Sequence, residues 1–203
     1  MRKCLRRMGI CFVISIFVWG LMLLSDRQML RRELIRLHVV AASDSREDQA
    51  VKLRVRDAVI QSLRTELQNL ADKEAAMAYV QENLPKLEIL ANRMLRECGS
   101  SDLATVSLGV EEFATRIYDT FTLPAGVYDA LRITIGPGEG QNWWCVVFPD
   151  LCMGAAAEDF EEIAGCAGFS DSLTAALEGK EGYEIRFFLL DVLGRVQNLL
   201  HKA

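Results

Sequence analysis

Cys145 and His38 are the residue types in this 203-residue chain that first suggest a reaction. A thiolate attacks a carbonyl carbon when a neighbouring base takes its proton, and imidazole, which titrates near pH 6.5, is the usual base. The only other histidine, His201, stands close to the C-terminus. Cys145 lies inside the apolar run "WWCVVF" with no base assured beside it. A buried thiol and a strand histidine therefore account for the same residues, and a cell-envelope hydrolase using Cys145 stands as the alternative.

Other chemistry finds less support. No Asp-Thr-Gly or Asp-Ser-Gly triplet of an aspartic protease occurs, and no C-x-x-C or Cys/His cluster has metal-ligand spacing, so neither metal nor cofactor is expected. The loop "GPGEG" has the glycines of a phosphate cradle but leads into a strand, without the Lys-Ser/Thr of a P-loop, and is read as a hairpin turn. A net charge of -5 argues against a nucleic-acid partner. Nothing points to a small-molecule substrate.

The tryptophans in "GEGQNWWCVVFPDLC" suggest contact with a protein instead. Successive strand side chains point to opposite faces, so packing accounts for one of Trp143 and Trp144 and leaves the other beside a polar, glycine-rich turn. An exposed tryptophan is a suitable anchor because it buries a large area at little entropic cost. Gln141, Asn142, Trp143 and Trp144 are the candidate partner-binding residues.

These residues need elements to hold them. Four basic residues in "MRKCLRR" precede the charge-free residues 8–24, "MGICFVISIFVWGLMLL". As a helix, this run spans about 25 Å, within the usual range for a membrane-spanning or signal segment. Residues 1–27 are thus expected to be an export signal or membrane anchor, and the lack of small residues at a cleavage position favours an anchor.

A single domain is expected over residues 34–203. "LIRLHVVAA" reads as a strand with Ile35, Leu37, Val39 and Ala41 opposite Arg36 and His38. Ser45 can cap a helix to about Leu70, with an Asp48–Lys52 pair and the cations Lys52, Arg54, Arg56 and Arg64 on its solvated face. A second helix spans residues 72–98, kinked or broken at Pro85 and stopped by Gly99. Strands follow in "ATVSLGVEE" and "TRIYDTFTLPAG", and "YDALRITI" and "WWCVVF" form an antiparallel hairpin. After an acidic stretch with short helical pieces, "GYEIRFFLLDVLGRVQNLL" closes as an amphipathic helix through Ile185, Phe188, Leu189, Val192, Val196 and Leu199. The fold class is α+β: an N-terminal membrane or export helix, then one domain with a mainly antiparallel sheet packed against helices.

Two blocks, "IRLHVVAASDSREDQAVKLRVRDAV" and "LPAGVYDALRITIGPGEGQNWWCVVFPDLC", resemble the stage II sporulation protein R family of endospore-forming bacteria. The motif positions of that resemblance are His38, Ser43, Asp44, Ser45, Asp57, Cys145 and Cys152. It implies a signal and not an enzyme. Such a protein is made in the forespore and sent to the space between forespore and mother-cell membranes. It triggers a membrane-embedded aspartic protease that cleaves the precursor of a mother-cell sigma factor. A purely structural membrane-anchored domain is the remaining alternative.

Within the second block Cys145 and Cys152 are candidates to form a disulfide after export. Fully extended, their separation would be on the order of 23 Å, whereas bridged Cα atoms lie within about 7 Å, so the chain must turn back near Pro149. Free buried thiols explain the same residues.

Overall fold

The computed structural model describes residues 2–118, 120–149 and 157–202. Helix α1 (Arg2–Glu33) runs directly into strand β1 (Ile35–Val40), followed by α2 (Arg46–Leu67) and α3 (Lys73–Glu97). Strands β2 (Ala104–Phe113), β3 (Arg116–Ile117), β4 (Thr122–Leu123), β5 (Gly126–Ile135) and β6 (Asn142–Phe148) come next. Helices α4 (Ala157–Cys166), α5 (Asp171–Leu177) and α6 (Glu184–Lys202) close the chain.

The main sheet has the order β2-β5-β1-β6. β1 is parallel to β5 and antiparallel to β6, while β2 is antiparallel to β5, so the sheet is mixed and mostly antiparallel. The fold is α+β, as the segregation of helical and extended patterns predicts.

The expected hairpin between β5 and β6 does not form, because β1 is inserted between them. The glycine-rich segment crosses the C-terminal end of β1, donating from Gly140 N to Ala41 O (3.0 Å) and from Glu139 N to Ala42 O (3.3 Å). Gly140 is required by this approach: a Cβ there would lie 2.2 Å from the carbonyl oxygen of Ser43.

Alternation along β1 divides the interior in two. Ile35, Leu37 and Val39 join Leu131, Ile133 and Cys145 under the apolar faces of α2 and α3, among Val55, Val59, Val80 and Leu87. On the opposite face, Phe113, Tyr128 and Val146 pack with Leu30 and Leu34 from the end of α1, Phe160 of α4 and Leu190 of α6. Covering both faces buries Arg36, whose position opposite the apolar side of β1 would otherwise place it in water. Its guanidinium lies 4.1 Å from the Phe113 ring centroid and donates to the Tyr118 hydroxyl (2.8 Å). Desolvation in the same layer pushes the Tyr128 phenol up to about 12.

Helix boundaries follow local chemistry. Ser45 accepts from Asp48 N, capping α2. Gly99, at φ 76°, ends α3 with its N–H donating to Arg96 O and that of Ser100 donating to Leu95 O, the paired bonds of a Schellman stop. Of the kink or break expected at Pro85, the break does not occur, and α3 is continuous through it. Pro85 and Gln81, whose carbonyl loses its donor, are both exposed, so water can satisfy that carbonyl while Val80, Leu87, Ala91 and Leu95 hold the inner face on the core. "TRIYDTFTL" also departs from a single extended run: β3 and β4 pair with each other as a separate two-stranded ribbon.

Among the described residues, one helix, α1, is long and apolar enough to cross a membrane. Its residues Met8, Phe12, Phe17 and Leu21 are exposed, whereas Leu23, Asp26 and Leu30 are buried against the domain. The helix therefore passes from an unpacked apolar segment into the second core.

Candidate functional site

The sequence motif Ser43-Asp44-Ser45 forms the turn between β1 and α2, where its polar side chains support the crossover loop. Ser43 Oγ accepts from Ser45 N (3.1 Å) and donates to Asp48, while Gln49 Nε2 donates to Ser43 O (2.8 Å). Asp44 Oδ1 accepts from Gln141 N (2.8 Å), and Lys52 Nζ donates to Gln141 O (2.9 Å). The peptide groups on either side of the Gln141 Cα are thus fixed by residues far away in sequence.

Lys52 therefore departs from the solvated role expected of it. It is buried, its ammonium bonds Gln49 and Gln141 rather than Asp48, and Asp48 is engaged by Ser43. Desolvation lowers its pKa below the ordinary lysine value, with repulsion from Arg56 adding to the shift and Asp44 opposing it.

His38 anchors the next residue of the loop. Its Nδ1 lies 2.7 Å from Glu111 Oε2 and its Nε2 lies 2.8 Å from Asn142 Oδ1. Arg132 Nη1 reaches Glu111 Oε1 at 3.2 Å. Burial alone would raise the Glu111 carboxyl, but His38 and Arg132 outweigh it and hold the group below its ordinary value.

The two tryptophans face opposite ways, as strand alternation predicts. Trp144 is stacked on His38 on one side, and the Arg116 guanidinium lies 3.3 Å from its ring centroid. Trp143, 39% exposed, is accompanied by the Arg56 guanidinium at 4.2 Å from its centroid. Arg56 in turn contacts Asp57, with Nη2 to Oδ1 at 2.6 Å. An exposed ring with a fixed cation beside it offers a partner both apolar area and charge.

The proposed pairing of His38 with Cys145 as base and nucleophile is not made. Cys145 is opposite Leu37 and packs in the core beneath α2 and α3, whereas His38 is opposite Trp144 on the other face of the sheet. Cys145 is also disulfide-bonded, which removes the thiolate that nucleophilic attack needs. Cys152, its expected partner, lies outside the described residues. Cys98 and Cys166 are free. Among the described residues, no group of three or more His, Cys, Asp or Glu side chains is placed to hold a metal ion.

His38, Ser43, Asp44, Ser45 and Asp57 thus form one assembly with the tryptophan stretch, whereas Cys145 lies in the core. Asp44 meets Gln141, His38 meets Asn142 and Trp144, and Asp57 reaches Trp143 through Arg56. Sequence reasoning missed Arg56, Glu111, Arg116 and Arg132 as parts of it. Arg56 and Asp57 carry a weak signal by falling in the same block as the motif, but no spacing rule connects Arg116 with Trp144.

An apolar N-terminal helix, long enough to cross a membrane, is thus continuous with an α+β domain whose polar network supports one loop and one exposed tryptophan. Residues 31–158 match the family described as Stage II sporulation protein R (spore_II_R). The chain is 30% identical over 175 residues to Stage II sporulation protein R of Bacillus subtilis (strain 168), covering 77% of this chain and 78% of that protein. It belongs to the stage II sporulation protein R family. No solved structure matches this chain.

Proposed function

We propose that this protein is an intercompartmental sporulation signal that activates a membrane-embedded aspartic protease. The domain is exported across, or anchored on, the forespore membrane through α1 and stands in the space between forespore and mother-cell membranes. The activated protease then cleaves the precursor of a mother-cell sigma factor, and the signal itself catalyses no reaction. Family membership carries this reading. The exposed Trp143, with Arg56, Gln141 and Asn142, supports it by supplying a contact surface within the matched residues.

The test is reconstitution in a cell that lacks all other sporulation proteins. Co-expression of this protein, the protease and the sigma precursor is expected to yield the processed factor, and omission of this protein to leave the precursor intact. The double substitution Phe17→Arg and Leu21→Arg is expected to retain the domain in the producing compartment and stop processing. Equal processing with and without the exported domain would reject the proposal.

A further inference from the structure

The apolar stripe expected along α6 is exposed except at Leu189, which packs on the second core. Leu190 and Asp191 are buried, and Gly194 approaches the turn before β5 so closely that a Cβ would lie 1.6 Å from Ala125 O. Ile185, Phe188, Val192, Val196 and Leu199 are exposed along the opposite side of the helix. Phe187, Leu189, Leu190 and Leu193 pack on the second core, so α6 is apolar on two sides and only one of them is covered.

The contacts between α1 and α6 indicate what lies on that side. Adjacent residues Asp26 and Arg27 of α1 engage Arg186 and Gln197, which are separated by about 16 Å along α6. The two helices therefore cross rather than run side by side, at a point just past the largely exposed apolar run of residues 8–24. α1 continues from the crossing into β1. α6, and with it the exposed stripe, is therefore held at the end of the apolar run of α1. Arg27, Arg31 and Arg32 line a cleft of about 810 Å³ beside the crossing, with Glu74 and the ion-paired Lys73 and Asp129 also in its wall, at the level where lipid headgroups would meet α1.

We propose that α6 is a membrane-surface helix: it lies in the plane of the bilayer that α1 enters, with its apolar stripe in the acyl–headgroup boundary and the basic cleft against lipid phosphates. This inference rests on the reading of α1 as a membrane helix. The position of α6 at the end of the apolar run of α1 selects a bilayer over a second copy of the chain as its cover.

The full-length protein, with Cys4, Cys11, Cys98 and Cys166 changed to Ser, is reconstituted in phosphatidylcholine–phosphatidylglycerol vesicles. A nitroxide is attached without reduction at Phe188→Cys, Val192→Cys or, as a control on the outer surface, Lys180→Cys, and the signal of the parent without an introduced cysteine is subtracted. Labels at 188 and 192 are expected to collide severalfold more with oxygen than with a water-soluble nickel chelate, and the control to show the reverse. Labels as accessible to nickel as the control overturn the proposal. So do labels shielded from both reagents, because these indicate a protein cover. Failure of the protein to float with the vesicles overturns the membrane reading of α1 itself, whereas flotation with wet labels overturns only the placement of α6.

Discussion

His38 and Trp144 are stacked across the β1–β6 pair with ring centroids 5.6 Å apart and planes inclined by 16°. The stack, completed by Arg116, accounts for one tryptophan of the adjacent pair by packing and leaves Trp143 to be explained by something else. Trp144→Ala is expected to cost about 3 kcal/mol of stability. Trp143→Ala is expected to cost less than about 1 kcal/mol, since it loses mainly an exposed cation–π contact. Its loss in protease engagement should be about thirtyfold, equivalent to about 2 kcal/mol. Thermal unfolding and sigma-precursor processing, measured on both variants, separate the two roles.

Gly140 tests the crossover. An added methyl group would meet backbone atoms of Ser43 at 2.2 and 2.5 Å, so Gly140→Ala must displace either the motif turn or the loop. A loss of at least about 2 kcal/mol is expected in urea unfolding. Gly109→Ala, where a Cβ would meet nothing within 4 Å, is the control and should change stability by less than about 0.5 kcal/mol.

Acid should weaken the same region. The folded Glu111 carboxyl is held below its ordinary 4.5 because His38 and Arg132 outweigh burial. Asp191 is held below 3.8 because Ala125 N–H, Thr115 and Arg195 do the same. For a depressed carboxylate, the stabilisation is fully present above the unfolded value and is lost as pH falls through the folded value. Denaturation midpoints should therefore fall progressively below about pH 4.5, and Glu111→Gln should flatten that decline. A steeper decline in the variant would contradict the assigned role of Glu111.

A bridge between Cys145 and Cys152 is the fourth expectation. Cys145 is bonded, and Cys98 and Cys166 are free. The protein recovered after export, alkylated without reduction and digested, should give a cross-linked peptide containing Cys145 and Cys152. Alkylated thiol at both positions would exclude the bridge.

Local features were the most legible in the sequence. The alternation of β1, the Ser45 cap, the Gly99 stop and the opposed tryptophans each depend on neighbours within a few residues. The insertion of β1 between β5 and β6 was not legible, because a short glycine-rich link between two strands has the pattern of a hairpin whether or not a third strand enters. Helical periodicity placed Lys52 and Arg56 on α2 but did not disclose that Gln141 and Trp143 would meet them. The apolar stripe of α6 was correctly located along the helix, yet its pattern alone does not distinguish a core from a lipid surface. Resemblance supplied the motif positions, and the structure supplies the contacts that link them.

The central place of β1 also sets an order of assembly. In a chain threaded across a membrane from its N-terminal end, β1 would emerge first among the strands, but Ile35 pairs with Asp129 and Phe148, near the far end of the matched region. Its backbone donors and acceptors therefore wait for most of the domain to arrive. Such long-range closure is slow compared with helix formation, so the emerging chain would pass through a helical but sheetless stage. Truncation before β6 would leave β1 with an open edge, and the sheet would be complete only once the last strand had crossed.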